Sequence, residues 1–233
     1  MRFAPEISSV VVVLVGNFNP PIVRPDWLEK HGLFGAGIAD AAEIEVIHPE
    51  VSIFRMDWAS FQVQKSRFVV RMEEAPFVQL QDLLVRTFRE LLPHTPIWAM
   101  GINRQVDFRV PDMRARDRIG TLLAPPEKWG EWGAQIRAEI DGVNDKLHGG
   151  MASLTMQQKK LDDRPNGYIN AKIEPSSRLP ATSGVFVEVN DHYEVGDRKE
   201  NVDAFEIVNL LEANFEKSIE RSEWIINQVM ALV

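Results

Sequence analysis

The sequence predicts an α+β fold: a mostly antiparallel sheet, made of a meander plus further strands, with helices on one face and a long C-terminal helix. Three observations carry this. The segment from Ile97 to Val110 alternates cleanly, with Trp98, Met100, Ile102, Val106, Phe108 and Val110 pointing one way and Ala99, Gly101, Asn103, Gln105, Asp107 and Arg109 the other, as in a strand with one face on a core. Residues 43 to 73 hold short β-rich runs separated by turn residues, so neighbouring strands there should be antiparallel. Segments 76–92 and 203–231 carry apolar residues at spacings of three and four, the period of an amphipathic helix.

In chain order, Val10 to Val15 is β-branched and apolar throughout and ends at Gly16, which predicts a central strand covered on both faces. Pro25 opens a short helix reaching about His31, and the glycines at 32, 35 and 37 mark a loop or small helix. In the meander, Ile44, Val46, Val51 and Ile53, then Phe61 and Val63, then Phe68, Val70 and Met72 should face inward. Phe77, Leu80, Leu84, Phe88 and Leu91 set the face of the helix that Pro93 stops. After Pro111, MRARDRIGTLL reads as a helix ended by Pro125-Pro126. A second helix is expected from Glu127 to Leu147, with Trp129, Trp132, Ile136, Ile140, Val143 and Leu147 as its core stripe. Gly149-Gly150 is a hinge signal, followed by strands at 151–161, 168–174 and 185–193. Asp203 with Glu206 three residues on resembles a capping box at the head of the last helix.

At 233 residues the chain is read as a single α+β domain, 1–233; the alternative is two related lobes, 1–148 and 151–233. A weak internal similarity is the ground for the alternative, chance likeness among amphipathic elements being the first reading. Gly101-Ile102-Asn103 through Asp107 resembles Tyr168-Ile169-Asn170 through Glu174, although the order of strand and helix differs between the halves.

Composition narrows the function classes. The chain is 45% hydrophobic and 26% charged, with net charge -8 and a pI near 5.2, which disfavours nonspecific binding to nucleic acid or anionic membranes. The absence of cysteine removes disulfides, thiolate metal sites and cysteine nucleophiles. The longest apolar run is Val10 to Val15, far short of the ~20 residues of a spanning helix, and MRFAPEISS lacks the form of a secretory signal. A cytoplasmic protein is expected. No phosphate-binding loop, zinc-helix motif, nucleophile elbow, calcium loop or dinucleotide fingerprint is present, so no cofactor is expected.

The candidate binding residues are Asn103, Arg104, Asp107 and Arg109. Arg104 interrupts the apolar side of its strand, where an unpaired guanidinium is very costly. A structural ion pair is the first reading; a bulge turning it outward and a contact to an anion or ligand are the others. The neighbouring polar face is either a groove lining or, the plainer reading, a solvated sheet surface. Asp191, His192 and Glu194 gather an imidazole and two carboxylates and form the weak alternative for metal binding or acid-base chemistry. Arg55, Lys65, Arg67 and Arg71 with Trp58, Phe61 and Phe68 offer a nucleic-acid face, outweighed by a solvated one. An exposed Trp129/Trp132 pair would mark an interface. The expectation is a non-enzymatic intracellular binding protein for a protein partner or small ligand, in a groove between the sheet and the long helix, with self-association open. The alternative is a hydrolase or metal-assisted enzyme using the Asp191/His192/Glu194 cluster.

Overall fold

The strands are β1 (Ile7–Gly16), β2 (Glu43–His48), β3 (Val51–Met56), β4 (Ala59–Gln64), β5 (Arg67–Met72), β6 (Ile97–Arg109), β7 (Leu154–Lys159), β8 (Gly167–Pro175) and β9 (Gly184–Glu194). In this computed structural model, which describes residues 3–142, 149–160, 167–180, 182–196 and 202–233, they form one antiparallel sheet in the order β2-β3-β4-β5-β1-β6-β9-β8-β7. The helices are α1 (Pro25–Lys30), α2 (Val78–Arg86, continued by a π-helical turn over Thr87–Leu91), α3 (Met113–Leu123), α4 (Gly130–Asp141) and α5 (Phe205–Met230). The α+β architecture read from the sequence is the one observed. Strands from either side of Gly149-Gly150 share the sheet, because β6 pairs with β1 on one side and β9 on the other.

One face of the sheet carries the core. Val10, Val12 and Leu14 of β1, Met100, Ile102, Val106 and Phe108 of β6, and Val185, Val187 and Val189 of β9 are all buried on it. The core falls into two clusters. One joins β1, β3, β4 and β5 to α1, α2 and the first half of α5 through Leu28, Leu80, Leu84, Leu211 and Phe215. The other joins β8 and β9 to α3 and the end of α5 through Ile119, Ile226 and Met230. No described helix belongs to the opposite face, so β1 is covered there only in part: Ser9 and Val11 are buried beneath neighbouring side chains, while Val13 and Val15 are half-buried.

Two further expectations are corrected by local chemistry. In β3 the inward residues are Ser52, Phe54 and Met56, not Val51 and Ile53. The two-residue turn at Asp57-Trp58, with Asp57 at φ +51°, fixes Met56 opposite Ala59, and a one-residue choice of register flips every side chain. The single helix expected over 127–147 is instead a 3-10 turn over Pro126–Trp129 followed by α4. Gly130 at φ +64° breaks the helical phase between them, and the turn folds back so closely that a Cβ on Gly133 would lie 1.8 Å from the Pro126 carbonyl. Trp129 and Trp132 are therefore 61% and 59% exposed rather than core. Val143 and Leu147 of the expected stripe, and Leu161 of the expected strand, lie outside the described residues.

α5 is about 39 Å long at ~1.5 Å per residue and lies over β6 and β9. Asp203 Oδ1 accepts the Phe205 N–H at 2.9 Å, one of the donors left open at its N-terminus.

Candidate functional site

Arg104 sits on the helix side of β6, only 3% exposed, in a regular stretch of pairing with Val10 and Val189. It does not bulge outward. Its Nε donates to Glu223 of α5 at 3.5 Å, its Nη1 donates to the carbonyls of Ser9 (3.1 Å) and Gln105 (3.3 Å), and its guanidinium lies 5.1 Å from the Phe77 ring centre. Burial pulls its pKa below the usual guanidinium value, and the Glu223 charge opposes that. These partners make it a structural ion pair.

The Arg104–Glu223 pair continues a line of buried polar groups between the two apolar clusters. Asp191, 1% exposed, takes hydrogen bonds from Ser218 (2.6 Å), Tyr193 (3.0 Å) and Arg221 (3.3 Å) and pairs with Lys160. Ser222 donates to the Ser218 carbonyl at 2.6 Å. Asp191 thus faces the helices. His192, the next residue, faces the other side of the sheet, where its Nε2 lies 3.0 Å from Glu194 and its ring stacks on Tyr168 at 4.5 Å. The structure does not bring Asp191, His192 and Glu194 together: adjacent strand residues point to opposite faces, so the sheet separates the first carboxylate from the other two groups. No group of three His, Asp or Glu suited to a metal ion occurs among the described residues.

The four candidate binding residues divide in the same way. Asn103, Asp107 and Arg109 face away from the helices, and Arg104 faces them, so the four do not line one groove. The space between sheet and α5 is filled by core. On the open face the polar groups are bonded to each other. Asp107, fully buried, pairs with Arg178 and accepts the Ser176 hydroxyl at 2.6 Å. Arg71 donates to Ser9 (3.0 Å) and Gln105 (2.6 Å), and Gln105 donates to Glu188. Burial, then the nearby Arg178 charge, lowers the Arg71 pKa. Arg109 makes two 2.6 Å bonds to Glu6. Asn103 donates to the Val11 carbonyl at 3.1 Å. Most polar groups of this face are thus bonded to one another, while the buried Asn190 Oδ1, opposite Asn103, has no hydrogen-bond partner among the described residues. The aromatic and basic residues of the meander also separate, Phe61 and Phe68 lying in the core and Arg55, Arg67 and Arg71 on the open face.

A cavity of about 190 Å³ opens elsewhere, between α3, α4, the 150–153 segment and the ends of β8 and β9. Ile119, Ile136, Ile140, Ile173 and Val185 form its apolar wall, and Trp129 and Trp132 stand at its rim in an edge-to-face pair 5.6 Å apart. Gly120 lines it, where a side chain would meet Met151 at 3.1 Å. Arg116 and Asp117, bonded at 2.7 Å, supply polar groups. The cavity continues outward as a groove bordered by Arg114, Arg118, Arg137 and Asp141. Its walls are apolar, its rim is aromatic and its polar groups are few.

In the sequence Ile119, Ile173 and Val185 fall on separate elements, while Trp129, Trp132, Ile136 and Ile140 read as a core stripe. The signal that could have relocated them was glycine at 130 and 133, flanking Trp132, in a segment meant to be helical. No protein-family model matches the sequence, and no curated protein matches it. What the fold and cavity define is an antiparallel α+β sheet with its helices on one face and an apolar, tryptophan-rimmed side pocket.

Proposed function

We propose that the chain is a non-enzymatic cytoplasmic binding module, and that the groove between α3 and α4 receives an apolar side chain of a protein partner. The exposure of Trp129 and Trp132 beside an apolar cavity is the observation that carries this reading. Two half-exposed indoles cost solubility in isolation, and large exposed aromatics beside a pocket are typical of interface centres. A volume near 190 Å³ suits a single bulky side chain, since an engineered ~150 Å³ cavity is known to hold benzene.

The test is an amide and indole chemical-shift titration with 4-methylphenol, a side-chain-sized probe. Shifts clustered at Gly120, Trp129, Trp132 and Ile140, removed in Trp132→Ala, are expected. Shifts scattered over the surface, or concentrated on the open face around Asn103, would overturn the assignment.

A further inference from the structure

Resting on the reading of this groove as a protein-binding site, we infer that the partner presents an acidic segment, with one bulky apolar side chain flanked by carboxylates. The charges beside the cavity are unequal in their commitments. Arg116 is bonded to Asp117, and Arg137 to Glu127. Arg114 and Arg118 are exposed and make no hydrogen bond or ion pair with the described residues. They stand one turn apart on α3, a like-charge spacing that destabilises a helix, on a chain whose net charge is -8. Asp117 and Asp141 line the same groove and Glu174 the cavity, and of these Asp117 is paired with Arg116 and Glu174 with Lys172.

The geometry orders the contacts. The apolar anchor enters between Trp129, Trp132 and Ile140, and the chain leaving the cavity passes the two arginines, which lie ~6 Å apart along the helix axis. Guanidinium groups bind carboxylates through charge-assisted, often paired hydrogen bonds. A single small anion would satisfy the arginines without using the indoles, whereas a peptide uses both.

The experiment is fluorescence anisotropy with a labelled peptide, Gly-Asp-Glu-Phe-Glu-Asp-Gly, against the full chain. Two control peptides carry lysine at every acidic position or serine in place of phenylalanine. The acidic phenylalanine peptide is expected to bind, both controls to bind more weakly, and added salt to weaken binding. Arg114→Glu with Arg118→Glu should lower its affinity about tenfold, the scale of two solvent-exposed ion pairs. Both positions are exposed, and an unchanged circular dichroism spectrum confirms the fold. Equal binding of the acidic and basic peptides overturns the inference while leaving the groove as a binding site. No peptide binding alongside localised 4-methylphenol shifts also overturns it, in favour of a small apolar ligand. Absence of both overturns the proposed function itself.

Discussion

Ser218 of α5 donates a 2.6 Å hydrogen bond to Asp191 of β9, across an interface that is apolar on either side of it. Asp191 in turn holds Lys160 and Arg221. Asp191→Asn keeps the shape and removes the Asp191 charge from beside the buried Lys160 ammonium. The expected loss is about 3 kcal/mol, read from urea denaturation. Ser218→Ala removes one bond of several and should cost about 1 kcal/mol. Equal effects would show that the ionic partners contribute nothing.

The Arg104–Glu223 pair gives a separate prediction. Glu223→Ala leaves a buried guanidinium with two backbone carbonyls as its acceptors and should destabilise by about 1–3 kcal/mol. Arg104→Met with Glu223→Leu should recover most of that loss, because an apolar pair of similar volume avoids the cost of removing charge from water. A double variant as unstable as Glu223→Ala would mean that the guanidinium's carbonyl contacts dominate.

Of the six tryptophans, Trp129, Trp132 and Trp224 are the exposed ones and Trp27, Trp58 and Trp98 are half-buried. Acrylamide should therefore quench the emission strongly, and Trp129→Phe with Trp132→Phe should remove a large share of the quenchable fraction with little change in melting temperature. A drop in melting temperature of more than about 5 °C, roughly 1 kcal/mol or more at this size, would place those indoles in the core after all.

Glu29 predicts a pH effect. Its carboxylate accepts the Ala39 N–H at 2.7 Å, and backbone bonds from Ala39, then Gly37, hold its pKa below the ordinary 4.5 despite some desolvation. A lowered carboxyl pKa contributes stability that is complete above the unfolded value and is lost as pH falls through the folded one. The 37–39 loop should therefore loosen only below about pH 4.5, seen as a shift of the Ala39 amide. Glu29→Gln should abolish that titration; its persistence would point to another group.

The sheet, its antiparallel pairing and α5 were legible because each rests on a period carried by several residues. β6 is the clearest case, its alternation surviving intact around the buried Arg104. Legibility ended where one residue decides the outcome. A positive φ at Gly130 turned Trp129 and Trp132 from core to rim, and the Asp57 turn chose the face of β3. The candidate site was legible in part: Asn103, Asp107 and Arg109 lie close in sequence and on one face, but the sequence could not reveal that Arg178, Ser176 and Glu6 already bind two of them. The similarity between the Ile-Asn segments of β6 and β8 has a structural counterpart, since Asn103 and Asn170 both stand opposite Asn190 of β9.

The polar line through Arg104, Glu223, Ser218 and Asp191 has a consequence for how the molecule comes apart. Each apolar cluster closes on its own side of that line, so few methyl-to-methyl contacts carry disruption from one to the other. Separate cooperative units with their own opening free energies are what such an arrangement produces. Amide exchange in β8 and the end of α5 should thus respond to substitutions around Ile173, while β3 and β4 keep their protection.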